Sequence, residues 1–229
     1  MSEWTIAAAQ YDTCCSDIVD NIARHLHFIA AAARQGCSAL LFPERALTGA
    51  AGLTRPLRAD SAMLRPLSQA AAEYNMTIIT GTSPAAEEDG ESGVAVFSPD
   101  PAAPVTFYPG RGTCLSPHPR AAMHFPADDG GRELDPRASL LATGTATRGC
   151  QQQQSVQSLQ RLAHRYAIAV LKANYAGGSA LWDENGQLIV RADAGELLLI
   201  GRRRAARWEG DIIPLRECPS PIDELACGA

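Results

Sequence analysis

Three short apolar runs, separated by two amphipathic stretches, set the narrowest limit on how this chain folds. Trp4-Thr5-Ile6-Ala7-Ala8-Ala9-Gln10 reads as a buried strand, ended by the polar Tyr11-Asp12-Thr13. Ser16 or Asp17 then caps a helix whose apolar positions Ile18, Ile22, Leu26, Ile29 and Ala33 share one face, with Gly36 closing it. Ser38-Ala39-Leu40-Leu41-Phe42 is a second apolar strand, stopped by Pro43. A second helix carries Leu64, Leu67, Ala71 and Tyr74, and Thr77-Ile78-Ile79-Thr80 is a third strand before Gly81. The order β-α-β-α-β with short links requires an α/β sheet whose strands are covered.

Further along, strands are expected near residues 93–97 and 105–108, with the turn-rich Ser98-Pro99-Asp100-Pro101 between them. From Pro109 to Arg137 prolines, glycines and aspartates break every period, which reads as an altered loop region at about 109–138. Residues 139–143 resume as a strand, Val156, Leu159, Ala163 and Tyr166 form a helical stripe, and Ile168-Ala169-Val170-Leu171 is a buried strand running into Lys172-Ala173-Asn174. Residues 179–182 and 187–191 flank Asp183-Glu184-Asn185-Gly186, whose Asn-Gly is a strong hairpin signal. Glu196–Ile200 is read as the last clear strand, with a tail of little periodicity from about 202. One domain over 1–229 is expected, since roughly 70–75% of a chain this long can be buried.

A net charge of −5 offers nothing to attract nucleic acid. Arg202-Arg203-Arg204 reads as a solvated strand exit. No apolar stretch reaches the roughly 18 residues of a membrane helix, and the start of the chain lacks the pattern of a signal peptide, so a cytoplasmic location is expected. The seven cysteines (14, 15, 37, 114, 150, 218 and 227) are odd in number and contain no Cys-x-x-Cys, while His25 and His27 stand two apart on a helix. Neither a disulfide framework nor a metal site is expected, and no cofactor. Lys172 is the only lysine beside nineteen arginines.

Leu40-Leu41-Phe42-Pro43-Glu44-Arg45-Ala46-Leu47-Thr48-Gly49 resembles the first signature of the nitrilase superfamily, the carbon–nitrogen hydrolases. Ala9-Gln10, Asp17-x-x-x-Asn21, Ile79-Thr80-Gly81 and the stretch from Leu162 through Asn174 to Gly186 are similar to further blocks of that family, in the same order. The resemblance implies an α-β-β-α sandwich, often paired through helices into homo-oligomers, and a Glu-Lys-Cys triad that cleaves small amides or nitriles. A cysteine thiolate attacks the carbonyl, a carboxylate moves the protons, and a lysine holds the oxyanion.

Glu44 stands where that family has its base. The lysine block corresponds to Phe107-Tyr108-Pro109-Gly110-Arg111-Gly112-Thr113-Cys114-Leu115, where Arg111 is the nearest cation and Cys114 the nearest thiol. An arginine can hold an oxyanion but cannot exchange a proton near neutrality. The family's strand ending in the nucleophilic cysteine has no counterpart between Leu115 and Ala138, as though it and its helix were deleted. Cys150 lies on the loop after the next strand, and Lys172 belongs to the Asn-turn block, where it reads as a strand-end cation. Asn174 is the substrate-binding candidate implied by that block. Two functions remain open on the sequence: an amidase-type hydrolase of a small carboxamide using Glu44 with Cys114 or Cys150, and an inactive homologue kept for binding or assembly.

Overall fold

Short apolar strands are joined here by helices that each bury one stripe, and the result is two sheets lying face to face. The computed structural model describes residues 3–12, 17–49, 57–83, 93–109, 112–115, 123–125 and 138–215, with 109, 112–115 and 123–125 described by their backbone. Strand β1 (Trp4–Gln10) leads into helix α1 (Ile18–Arg34), where Asp17 is the cap and its side chain accepts from the Val19 amide. Gly36, at φ 69°, turns the chain into β2 (Ala39–Leu41). One turn of 3₁₀ helix at Ala62–Leu64 runs into α2 (Arg65–Glu73), and β3 (Thr77–Thr82), β4 (Gly93–Phe97) and β5 (Thr106–Pro109) follow. Next come β6 (Gly112–Leu115), β7 (Met123–Phe125), β8 (Leu140–Thr145), α3 (Cys150–Tyr166), β9 (Ala169–Asn174), β10 (Ser179–Trp182), β11 (Leu188–Ala192), β12 (Leu197–Arg204) and β13 (Arg207–Pro214).

The first sheet has the order β13-β12-β1-β2-β3-β4-β5 and the second β11-β10-β9-β8-β6-β7. Pairings β1–β2, β2–β3 and β8–β9 are parallel, and the others antiparallel. Alternation along the strands sorts the core into three layers. Ala7, Ala9, Leu40 and Ile78 pack outward on Ile22, Phe28, Leu67 and Ala71 of α1 and α2. Ile6, Ala8, Leu41 and Ile79 face inward onto Ala142, Ala169, Leu171 and Leu181 of the second sheet. Leu141, Val170, Ala180 and Trp182 pack on Ala163 beneath α3. Burying each of the Leu, Ile, Val and Phe side chains among these stabilises the fold by about 1.5–3 kcal/mol. Gln10, fully buried, ties the sheets at one end: its Nε2 donates to Gly195 O and its Oε1 accepts from the Ser179 amide.

Two expectations are corrected. The stretch after Pro109 is not all loop, because Gly112–Leu115 pairs with both β7 and β8. The strand beginning near Glu196 continues to Arg204 and hairpins into β13, so residues 202–214 are sheet rather than tail. The three arginines of the Arg202-Arg203-Arg204 triplet are each matched: Arg202 with Asp211, Arg203 with Glu184, Arg204 with Glu3 and Glu209. This pairing leaves the arginine triplet little free charge for an acidic partner. Among the described residues no helix is long and apolar enough to cross a membrane.

Candidate active site

Glu44 owes its position to the way β2 ends. Pro43 has no amide hydrogen to continue the ladder. The last sheet bond is Phe42 N to Ile79 O, after which the chain turns tightly over Pro43–Gly49. Pro43 O accepts from the amides of Ala46 and Gly81, Gly81 O accepts from Leu47 N, and Arg45 O accepts from Gly49 N. Arg45 sits in the left-handed region at φ 59°, an unfavourable place for a residue with a Cβ. Glu44 itself is only 7% exposed, with the Arg45 guanidinium 3.7 Å from Oε1.

Glycines on both sheets make room for this turn. A Cβ on Gly81 would lie 2.4 Å from Arg45 N and 2.6 Å from Glu44 Cα. A Cβ on Gly144 in the facing sheet would lie 2.7 Å from Phe42 O and 2.9 Å from Glu44 N. The Glu44 backbone is thus wedged where the two sheets meet, at the carboxyl end of an inner parallel strand.

Behind the wedge stands a buried polar group, His25, that the sequence reading weighed only as a metal ligand. His25 on α1 is fully buried and stacks on Phe42 with ring centroids 3.9 Å apart. Its Nδ1 is 2.6 Å from Asn21 O and its Nε2 is 2.7 Å from Thr80 Oγ1. A carbonyl only accepts, so Nδ1 carries the hydrogen and Nε2 accepts from the Thr80 hydroxyl. Burial drives the His25 pKa down to about 4, with the Asn21 bond opposing and Arg24 adding to the fall, so the ring is neutral near pH 7. Asn21 Nδ2 in turn donates to Leu47 O, at the far side of the turn. A signal was available: Asn21 and His25 fall on the same stripe as Ile18, Ile22, Phe28, Ile29 and Ala32, which are the buried positions of α1. Polar side chains on that stripe need buried partners.

The other sequence candidates lie elsewhere. Asn174 ends β9 and spends its side chain on its own chain. Its Oδ1 accepts from Thr145 Oγ1 and Thr147 N, and its Nδ2 donates to Thr147 O, Tyr175 O and Gly177 O. Those bonds fix the turn after β9 and leave its amide little to offer a ligand. Cys114 lies in β6, opposite Leu141 of β8, and its side chain lies outside the described residues, as does the whole of Arg111. Cys150 begins α3 and is exposed, on the outer layer. Cys37 is buried just before β2, at the strand end opposite Glu44, and burial pushes its thiol up to about 12, so it is a poor nucleophile.

Lys172, not a strand-end cation at all, is fully buried inside β9. It shares the α3-facing side of the sheet with Val170, Ala180 and Trp182, whereas Gly144 faces the Glu44 turn from the opposite side. Its ammonium donates to Thr147 Oγ1 at 3.4 Å, and burial, aided by Arg191, lowers its pKa to about 8.

The fold has counterparts among known proteins. Residues 5–101 match the sequence model of the carbon–nitrogen hydrolase family. Among solved structures, the fold is similar to a carbon–nitrogen hydrolase superfamily protein from Xanthomonas campestris with an arsenic adduct in its active site, at TM-score 0.68 and 16% identity over 90% of this chain and 92% of that one. It is similar also to the amidase from Nesterenkonia sp. AN1. A double mutant of that enzyme in complex with acrylamide gives TM-score 0.66 and 17% identity over 90% and 92% of the two chains. A cysteine mutant in complex with butyramide gives 0.65 and 18% over 89% and 92%.

Proposed function

The chain belongs to the carbon–nitrogen hydrolase (nitrilase) superfamily, and on that premise we propose that it cleaves a small carboxamide with Glu44 as general base. The observation that carries the reading is the wedge: a nearly buried carboxylate at the end of an inner strand, with glycine on both sheets where any side chain would displace it. A structural carboxylate on a surface turn has no need of such room.

In this reading Glu44 takes the proton from a cysteine thiol as its sulfur adds to the amide carbonyl, and Arg111 holds the oxyanion. Glu44 returns the proton to the nitrogen as the C–N bond breaks and ammonia leaves, giving a thioester. Water, deprotonated by Glu44, then adds to the thioester, and the thiol departs with a proton to leave the carboxylic acid. Asn174 serves by holding the turn after β9 rather than by touching substrate. Small amides such as acrylamide and butyramide, bound by the related amidase, are the first substrates to try.

One observation favours a second reading, an inactive homologue retained for binding or assembly. The only lysine of the chain stands on the helix side of its sheet, and no described cysteine side chain stands beside Glu44. Acrylamide labelling separates the two. An adduct on one cysteine other than Cys150, formed at different rates in the parent and in Glu44→Gln, supports the hydrolase. Labelling confined to Cys150, at equal rates with and without Glu44, supports the inactive homologue.

A further inference from the structure

The buried polar residues of α1 do more than fill the space beneath the first sheet. Asn21 and His25 are one helical turn apart on its inward face. Their contacts reach both flanks of the turn that carries Glu44. Ahead of it, the imidazole lies on the Phe42 ring with 25° between the planes, two residues before the carboxylate. Beyond it, the Asn21 amide holds Leu47 O, three residues after. Beside it, Nε2 holds the hydroxyl of Thr80, whose neighbour Gly81 both accepts from Leu47 N and donates to Pro43 O.

We infer that Asn21, His25 and Thr80 form a bracket that sets the position of the Glu44 carboxylate, making His25 a positioning residue for the base.

The inference rests on the proposed role of Glu44, and it follows from three physical points. The turn holds Arg45 in a left-handed conformation that it would leave if unsupported, so something must over-determine it. Every group that supports it here is buried, where a polar partner left unmatched is costly, so the bracket resists partial opening. The neutral ring with its hydrogen on Nδ1 can meet both bonds at once: it donates to Asn21 O and accepts from Thr80. Glutamine or asparagine could donate to one partner and accept from the other but cannot stack on Phe42 in the same place. The hydroxyl of residue 80 is therefore as necessary as the ring, since valine there has the same shape and gives Nε2 no hydrogen.

The decisive variants are Thr80→Val, which removes only the hydroxyl, and Thr80→Ser, which returns it. Ile29→Val is the control, because it loosens the packing of α1 without removing any hydrogen bond of the bracket. Amide hydrogen exchange at Leu47 and Gly81, referenced to amides of β1 and β12, is read on the full chain. In Thr80→Val these two amides should exchange at least about tenfold faster than in the parent while the reference amides hold, and Thr80→Ser should restore them. In Ile29→Val any loss of protection should be shared with the reference amides. Where butyramide is hydrolysed, Thr80→Val should lower kcat at least about tenfold with KM unchanged, and Thr80→Ser should recover it, because a displaced base weakens the chemical step and not binding. His25→Gln should behave as Thr80→Val in both readouts. Unchanged exchange at Leu47 and Gly81 in Thr80→Val, or equal loosening in Ile29→Val, overturns the bracket. Absence of hydrolysis in the parent protein overturns the role of Glu44 instead, and the exchange measurement then judges the bracket alone.

Discussion

Residues 5–101 carry the family match in their sequence, while the fold likeness to solved relatives extends over 86–90% of the chain, through a second sheet that the sequence match does not reach. The two regions also bury polar groups differently. In the first, Asn21, His25 and Thr80 are neutral and joined to one another and to the turn they support. In the second, a cation, Lys172, is buried with the neutral Thr147 hydroxyl as its one hydrogen-bond partner among the described residues, and the Asn174 side chain bonds to its own turn. A turn squeezed between two backbones tolerates few sequences. A strand face beneath a helix tolerates many, provided the replacements fill it.

The comparison breaks most visibly if the wedge is relieved. Gly81→Ala would set a methyl group 2.4 Å from Arg45 N, against backbone that cannot rotate away. The expected loss is more than about 3 kcal/mol in urea unfolding, together with loss of any Glu44-dependent chemistry. Unaltered unfolding would show that the turn is looser than described.

The two buried bases should answer acid and alkali in separate windows. For Lys172 the ordinary pKa is 10.5 and the folded value about 8, so the unfolded chain holds the extra proton between them. Stability from this group is therefore present above pH 10.5, is lost as the pH falls to 8, and stays lost at pH 7, a component of about 3 kcal/mol. Lys172→Met should be more stable than the parent at pH 7, and the gap should shrink at pH 10. For His25 the ordinary value is 6.5 and the folded one about 4, so its stabilisation is complete above 6.5 and lost as the pH falls to 4. The size is again about 3 kcal/mol, and His25→Gln should lack that acid-dependent component in melts at pH 4 and 7. Coincident windows for the two would erase the contrast between the regions.

The smallest effect concerns the end of α3. Ala167 caps it in the left-handed region, at φ 49°, so Ala167→Gly should raise stability by about 1 kcal/mol, read as a small rise in Tm. No rise would mean that the Ala163 bond and the α3 packing already absorb the strain.

The strands from Trp4 to Phe97 and from Ser179 to Trp182 are legible because each is a compact apolar run between clear breakers, both faces being covered. Strand β6 escapes because Gly-Thr-Cys-Leu is too short to show a period, and only its partners Met123–Phe125 and Leu140–Thr145 define it. Strand β13 escapes because it lies at a sheet edge with most residues exposed, so pairing rather than burial makes it a strand. Lys172 is misread for a related reason. A lysine looks exposed in sequence, and only the layers above and below β9 reveal that it is covered. The motif singles out Glu44 only as a candidate, and Asn21 and His25 require recognising that the buried stripe of α1 runs through them and not through Leu26 and Ala33.

Release of ammonia from butyramide, followed in the parent protein and in Glu44→Gln at matched folding, bears most directly on the role assigned to Glu44. Loss of a positioned base should slow release by about a hundredfold or more. Equal release from both proteins, or none from the parent, would contradict it.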